Sequence, residues 1–243
     1  MIQSRLHGVE MKYQIHQHRF GLDIANSNPE LKSLWEEFIG VIEGITDEQI
    51  KEEFSNPPRY TATKKTKSGK QASRPRNKMS ISAAINNLID DGLTSKGWND
   101  QSEIFQGPEY DSSKWRLDFS KRITNPSADI SGFAVEVAFN HGEAISWNLL
   151  KPVLAAEINH VKTEVEIGAG IGIYVCATES LKQEGAFDNT VGEYEKVLRY
   201  LTPLFNKLSV PMIIVGLKPL EKYRLEKKFD PVTRTNTGVF IEK

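Results

Sequence analysis

Three acidic residues stand inside a stretch whose other residues mostly have the pattern of apolar strands. The stretch, "WRLDFSKRITNPSADISGFAVEVAFNH", runs from Trp115 to His141 and contains Asp118, Asp129 and Glu136. Two carboxylates a few ångströms apart repel each other unless a cation lies between them. Mg²⁺ is usually held by one or two carboxylates together with waters and phosphate oxygens. A metal bound in this way can activate water for attack on a phosphodiester, so phosphodiester hydrolysis is the chemistry that these residues could perform.

The alternation of side chains along a strand predicts which acids can meet. In "GFAVEVAFN", Glu136 and Ala138 share one face, and in "WRLDFSK", Asp118 lies on the face opposite to Leu117 and Phe119. The carboxylates of Asp118 and Glu136 are therefore predicted to converge on one side of a hairpin. The alternative is that both acids belong to the wet face of an antiparallel sheet, where carboxylates need no function.

The elements around this hairpin predict the fold class. Helical periodicity is found in "NPELKSLWEEFIGVIEG", "DEQIKEEF", "SISAAINNLIDDGL", "ISWNLLKPVLAAEINHV" and "VGEYEKVLRYLTPLFNKL", and buried strands are predicted for "GAGIGIYVCAT" and "VPMIIVGL". Thr46 and Gln49 have the spacing of a capping box, and Ser80 is the expected N-cap of the third helix. Pro152 is expected to kink the fourth helix or to mark a later start. The order predicts a single α/β domain over residues 1–243, with a mixed central sheet flanked by helices.

Two segments stand apart from this pattern by their charge. Residues 57–79 contain no acid and are predicted to form a mobile basic loop that carries Lys64, Lys65, Lys67, Lys70, Arg74, Arg76 and Lys78. Residues 221–243 are expected to be a basic, weakly structured tail that ends in at most a short strand. Both segments could contact nucleic acid, but solvated segments of this composition are common.

The overall composition limits the class of protein. The formal net charge of −1 does not indicate a nucleic-acid partner, so only local charge can. The single cysteine, Cys176, falls in a predicted buried strand, which is typical of a reducing cytoplasm. No apolar run reaches the roughly 18 residues of a membrane span, and the first residues lack the apolar segment of a signal peptide. Walker loops, Cys/His zinc spacings and Gly-x-Ser-x-Gly elbows are absent from the sequence.

Several stretches, in order, resemble the type II restriction endonucleases of the BglII and BstYI family, which share the PD-(D/E)xK nuclease fold. The resemblance covers roughly residues 12 to 220. It is carried by "LWEEFIGVIEGI", "KKTKSGKQ", "SAAINNLI", "SKGWND", "LDFSKR", "VEVAFN" and "VPMIIVGL". Each stretch is short and individually unspecific, so the resemblance depends on their order and spacing.

The resemblance implies a set of metal ligands. "LDFSKR" matches the strand that supplies the first metal-binding Asp, which gives this role to Asp118. "VEVAFN" matches the strand that supplies the Glu, which gives that role to Glu136, and the carbonyl of Val137 is expected to complete the protein ligands of a Mg²⁺ ion. Asp129 lies in the connecting turn and is the second candidate, because its choice would preserve a shorter hairpin.

Ala138 departs from the family pattern. Two residues after the Glu the family has Gln, Glu or Lys, which orients or deprotonates the attacking water, and Ala can do neither. Three explanations are open: an artificial replacement by Ala, a neighbouring catalytic group such as Glu143 or His141, or a protein that binds DNA without cutting it.

The resemblance also implies the partners. It predicts a homodimer that encloses double-stranded DNA and cuts a short palindrome, with family members reading sites built around GATC, and a cognate methyltransferase in the same restriction-modification system. Base or backbone contacts are expected from the basic loop and from Asn99, Asn140, His141 and Asn148. Two other functions remain open: a non-catalytic DNA-binding protein on a decayed nuclease fold, favoured by Ala138, and a structure-specific repair nuclease.

Overall fold

The computed structural model describes residues 10–56, 64–65, 71–72, 78–105, 107–110, 115–123, 132–156, 170–231 and 234–243. The strands are β1 (Tyr13–His18), β2 (Lys64–Lys65), β3 (Gln71–Ala72), β4 (Asn99–Glu103), β5 (Arg116–Arg122), β6 (Gly132–Val137), β7 (Ile171–Ala177), β8 (Met212–Leu217), β9 (Tyr223–Asp230) and β10 (Thr235–Glu242). The α-helices are α1 (Gly21–Ser27), α2 (Pro29–Glu43), α3 (Asp47–Ser55), α4 (Ser82–Ser95), α5 (Ile145–Ala156), α6 (Glu179–Glu184) and α7 (Tyr194–Leu204).

Six of the strands form the central sheet, in the order β1-β8-β7-β6-β5-β4. β6, β7 and β8 run parallel to one another, whereas β1, β5 and β4 add antiparallel pairs at the two sides. The predicted mixed α/β architecture is therefore confirmed.

Helices cover both faces of this sheet. Apolar residues of α2, α4 and α6 pack with one face of β6, β7 and β8. Those of α5 and α7 pack with the other face, which carries Tyr174 and the free, fully buried Cys176. The strands β7 and β8 are buried along their whole length, as their continuous apolar sequences predict.

Both edge strands of the sheet were missing from the sequence-based prediction. β1 reads "YQIHQH" and β4 reads "NDQSE". Among the described strands, each has a neighbour on one side only, and each carries mainly polar side chains. Its sequence therefore lacks the apolar alternation that reveals an interior strand.

Helix ends agree only partly with the prediction. Thr46 and Gln49 form the predicted capping box of α3. Ser80 is not the N-cap of α4, which begins one residue after Ile81, and the Ser80 hydroxyl instead bonds the Ser82 hydroxyl at 2.8 Å. Pro152 lies inside α5, so this helix neither ends nor begins there.

The prediction of a weakly structured tail was wrong. β9 and β10 form an antiparallel hairpin with continuous pairing from Tyr223–Glu242 to Asp230–Thr235. The ring of Phe240 packs edge-on against those of Phe54 and Tyr223, at centroid distances of 5.3 and 5.7 Å. Partners distant in sequence therefore stabilise a segment whose own composition is mostly polar.

Among the described helices, none is both long and apolar enough to cross a membrane.

Candidate active site

Asp118 is not paired with a residue of either neighbouring strand, β4 or β6. Pairing of β5 with β6 includes Phe119 opposite Val135 and continues toward Arg122, but it does not include Asp118. On the β4 side, the pairs on either side are regular, whereas Gln101 opposite Asp118 is unpaired and has a φ of 45°. The strand is thus irregular at the residue that the sequence singled out.

This irregularity corrects one detail of the alternation. Leu117 and Phe119 were expected to share a face, but they pack in different apolar clusters, Leu117 with Ala134 and Ala155 and Phe119 with the α2 and α4 side. The β4–β5 register is the same on both sides of Asp118, so the change of face occurs without an inserted residue.

Asp118 is anchored by groups from two neighbouring strands. Its Oδ2 accepts a hydrogen bond from the backbone N–H of Val137 at 2.8 Å, and the Gln101 side chain donates to the same carboxylate. Burial raises the pKa of the Asp118 carboxyl above its usual value, while these bonds and the charge of Lys151 act in the opposite direction. Gln101 was missed from the sequence, because a lone Gln carries no motif.

The two oxygens of Glu136 have different surroundings. The residue is only 2% exposed, Oε2 accepts a bond from Lys151 Nζ at 2.9 Å, and Oε1 is buried with no hydrogen-bond partner among the described residues. Burial, followed by the negative charge of Asp118, raises the pKa of Glu136 to about 8, while Lys151 and a hydrogen bond from the Asp118 backbone act in the opposite direction. An orphaned carboxylate oxygen in the interior is costly, which fits a position that a cation completes.

Lys151 is the second residue of the site that the sequence did not reveal. It lies in α5, and its side chain is 9% exposed. It is the only charged residue of the apolar helix "ISWNLLKPVLAA", and this isolation is the signal that could have identified it.

An open cleft of about 570 Å³ gives access to Asp118. Most of its lining residues carry polar side chains and come from α4, β4 and the strand ends beside the site: Ala83, Asn86, Asn87, Asp90, Asp100, Gln101, Asp118, Phe119 and Val137. The described part of the chain has no group of three or more His, Cys, Asp or Glu side chains arranged around a metal position. Two carboxylates with backbone, water or phosphate oxygens remain a donor set that suits a hard cation such as Mg²⁺.

Ala138 lies in the interior next to this site. It is 3% exposed and packs in the apolar cluster of Ile145 and Leu149, while its N–H donates to the carbonyl of Val175 at 2.8 Å. The side chain at this position therefore contributes packing and no polar group. Glu143, a candidate to replace it, is exposed in the short 3₁₀ turn Gly142–Ala144.

His141 is exposed and held in one orientation by a relay. Its Nδ1 lies 2.6 Å from the hydroxyl of Thr190, which lies 2.6 Å from a carboxylate oxygen of Asp188. Hydrogen bonds from Thr190 lower the pKa of Asp188, so Asp188 is ionised and can only accept. The hydroxyl proton of Thr190 therefore points to Asp188, and His141 donates to the Thr190 oxygen through Nδ1–H.

The other predicted DNA contacts fall in different environments. Asn99 and Asn140 are exposed, whereas Asn148 is 4% exposed and donates to Asn140 at 3.4 Å, which makes it an internal support. Lys78 donates to the carbonyls of Glu53, Phe54 and Asn56 and so caps the end of α3. Only the strand positions of Lys64 and Lys65 are described, and Lys67, Lys70, Arg74, Arg76 and Asp129 lie outside the described residues.

The family comparison matches most of the chain. Residues 13–217 match the family described as Restriction endonuclease BglII/BglIII. The comparison with curated proteins finds no significant match.

Two solved structures resemble this fold. The crystal structure of restriction endonuclease BglII complexed with a DNA 16-mer has a TM-score of 0.52 and 18% identity, covering 95% of this chain and 100% of that chain. The crystal structure of free BglII gives a TM-score of 0.46 and 16% identity, with 96% of this chain and 100% of that chain covered.

Proposed function

Because the chain belongs to the BglII/BglIII restriction endonuclease family, we propose that it is a Mg²⁺-dependent type II endonuclease that hydrolyses phosphodiester bonds of double-stranded DNA at a short palindrome. The observation that carries the proposal is the meeting of Asp118 and Glu136 at the break in strand pairing, with Glu136 Oε1 left without a partner among the described residues. A pair of carboxylates, one of them with a buried oxygen that lacks a partner, is what a divalent cation would complete.

Each residue of the site has a defined task in this proposal. Asp118 and Glu136 would hold the cation, with the Val137 carbonyl as a further ligand. Mg²⁺ held there would supply an activated water and charge stabilisation for the leaving oxygen. The Val137 N–H and the Gln101 side chain fix the Asp118 carboxylate, so that its geometry is set before DNA arrives. The cleft beside Asp118 admits the phosphate.

Exposed groups next to the site are proposed to contact the DNA. Asn99 lies on β4, and Asn140 and His141 follow β6, so all three belong to segments that adjoin the cleft. With its Nδ1–H directed to Thr190, a neutral His141 would offer Nε2 to the amino group of adenine or cytosine in the major groove, whereas guanine offers only acceptors there. A site related to GATC contains both bases that present an amino group in the major groove, adenine and cytosine.

The assembly follows from the substrate. A palindrome has two-fold symmetry, so a homodimer with one site per strand is proposed, and a methyltransferase of the same system would protect host DNA. The basic segment around Lys64 to Arg76 would contact the phosphates on either side.

The test is digestion of unmethylated plasmid of known sequence in Mg²⁺ by the parent protein, Asp118→Asn and Asp129→Asn. We expect discrete fragments from the parent and from Asp129→Asn, and none from Asp118→Asn, because Asp118 is the acid whose charge acts on Glu136. The opposite result for the two variants would assign the metal to Asp129.

Two other results would replace the proposed function. Binding of DNA without cleavage by the parent protein would favour the non-catalytic alternative, to which Ala138 points. Nicking confined to branched DNA, without discrete plasmid fragments, would indicate a repair nuclease.

A further inference from the structure

The buried pair of Lys151 and Glu136 needs an explanation beyond stability. The Nζ–Oε2 distance is 2.9 Å, and the two side chains are 9% and 2% exposed. Burying an ion pair costs desolvation energy, and apolar residues of similar size at such positions often leave stability unchanged or increase it. The pair is therefore weak support for the fold, although it occupies the centre of the candidate site.

The ammonium of Lys151 acts on both carboxylates of the site. It donates to Glu136 directly, and its charge also acts on Asp118. Because Oε2 of Glu136 is engaged by Lys151, the side chain is held with Oε1 as the remaining oxygen. One oxygen is thus engaged by the protein, and the other is buried without a hydrogen-bond partner among the described residues.

Ala138 adds no polar side chain to the face of the strand that carries Glu136. Ala138 follows Glu136 by two residues and packs under α5 with Ile145 and Leu149. Lys151 comes from that same helix, so α5 brings an ammonium to the face of β6 on which Ala138 offers only a methyl group.

We propose that Lys151 is the positioning residue of this site: its ammonium, carried on α5, holds Glu136 through Oε2 and presents Oε1 to the cation, in place of a polar side chain at position 138. This inference rests on the proposed function. Lys151 acts through Glu136 and through its charge, and it takes no part in bond making or breaking.

The test moves the ammonium from the helix to the strand. Lys151→Met removes it, and the double variant Lys151→Met/Ala138→Lys returns one from the expected strand position. Lys182→Met is the matched control, because Lys182 forms a comparable pair with Glu193 at 3.0 Å that is likewise largely buried, at 17% and 11% exposure, but is not part of the site. Single-turnover cleavage, the melting temperature and the Mg²⁺ concentration at the midpoint of a thermal-shift titration are measured for each protein.

We expect Lys151→Met to cleave at least ~100-fold more slowly, since misplaced catalytic groups cost about this factor. We expect its Mg²⁺ midpoint to rise by about 10-fold, because Glu136 loses the partner that holds its ligand oxygen in place. The double variant should recover at least about 10-fold in rate, since its ammonium again lies beside Glu136, and Lys182→Met should match the parent in both quantities.

The outcomes separate this inference from the proposed function. A folded Lys151→Met that cleaves at the parental rate, or whose Mg²⁺ midpoint is unchanged or lower, overturns the role of Lys151 and leaves the endonuclease intact. A double variant that folds and remains as slow as Lys151→Met also overturns it. If Lys151→Met fails to fold, Lys151→Gln replaces it under the same criteria. Absence of cleavage by the parent contradicts the proposed endonuclease function. In that case the Mg²⁺ midpoints still test whether Lys151 positions Glu136 for a cation.

Discussion

At the scale of single residues, Glu136 combines burial with incomplete hydrogen bonding. Oε2 has a partner in Lys151, Oε1 has none among the described residues, and Asp118 adds negative charge nearby. A side chain in such surroundings favours its protonated form, which is why its pKa is raised to about 8. In the absence of a divalent cation the site should therefore reduce the stability of the protein at alkaline pH.

This environment predicts a pH dependence of stability for the metal-free protein. The pKa of Glu136 is about 8 in the folded state, compared with roughly 4.3 for an unfolded chain. The folded state binds the extra proton between these values, so the free energy of unfolding falls as the pH rises from about 5 to about 8. Glu136→Gln removes this titration, and we expect it to melt at a higher temperature than the parent at pH about 8 and at a similar temperature at pH about 5.

The measurement is the melting temperature across this pH range with a chelator present. Parallel pH profiles for the parent and Glu136→Gln would contradict the prediction. Asp118 also has a raised pKa, so the variant should retain a shallower dependence and not lose it entirely.

At the scale of elements, the break in β5 shows how a sheet accommodates a carboxylate between two of its strands. The side chain of Asp118 accepts the Val137 N–H, and Asp118 is absent from the backbone register on both sides. In a regular ladder the Val137 N–H would donate to a backbone carbonyl of the neighbouring strand. Here it donates to the Asp118 carboxylate, which is thereby held between the two strands.

The hairpin β9–β10 is the element in which the structure differs most from the prediction. Its residues alternate weakly between polar and apolar, but Tyr223 and Leu225 are buried, and Gly238 N–H donates to the carbonyl of Lys78 at 2.7 Å. Gly238 also lies where an added Cβ would meet the side chains of Leu225 and Phe54. The hairpin is therefore attached to α3 and to the start of the α4 region by packing and hydrogen bonds.

This attachment predicts that Phe240→Ala destabilises the protein by about 2 kcal/mol. The loss is smaller than for replacement of a fully buried Phe, because the Phe240 ring is only partly buried between Phe54 and Tyr223. Phe229→Ala on the same hairpin is the control, since its side chain is 66% exposed. Urea denaturation of both variants is the measurement. Equal midpoints for Phe240→Ala and Phe229→Ala would mean that the hairpin does not contribute to the cooperative unit.

At the scale of the whole molecule, charge is distributed unevenly. The net charge is −1, but the segment from residue 57 to residue 79 carries cations and no acid. A protein without net positive charge can bind a polyanion through such a local concentration of Lys and Arg. Since Lys78 is engaged at the end of α3, the cations available for phosphates are those before it.

Replacement of Lys64, Lys65 and Lys67 by Ala tests this distribution. For each lysine that pairs with a phosphate, its removal should reduce the slope of log binding constant against log salt concentration by about 0.9, so by up to about 2.7 for all three. A triple replacement of Lys12, Lys32 and Lys207, which are exposed cations outside the segment, removes the same charge and should leave the slope unchanged. Equal slopes for the parent and the first variant would exclude these lysines from the DNA interface.

The sequence by itself determined the interior of this protein. The strands β7 and β8 and the helices α2, α3 and α7 follow from apolar periodicity and a capping box, because these local signals agree with the tertiary environment. Alternation in β6 placed Glu136 and Ala138 on one face, and the neighbouring motif pointed to Asp118. These features depend on residues close together in the chain.

Only the tertiary structure decided what surrounds those residues. Lys151 reaches Glu136 from a helix, Gln101 reaches Asp118 from an edge strand, and Ala138 is sealed beneath α5. The edge strands β1 and β4 take their form from pairing with strands distant in sequence. No local pattern encodes such contacts, because each depends on where two separately folded elements cross, and that crossing is set by the packing of the whole sheet and its helices.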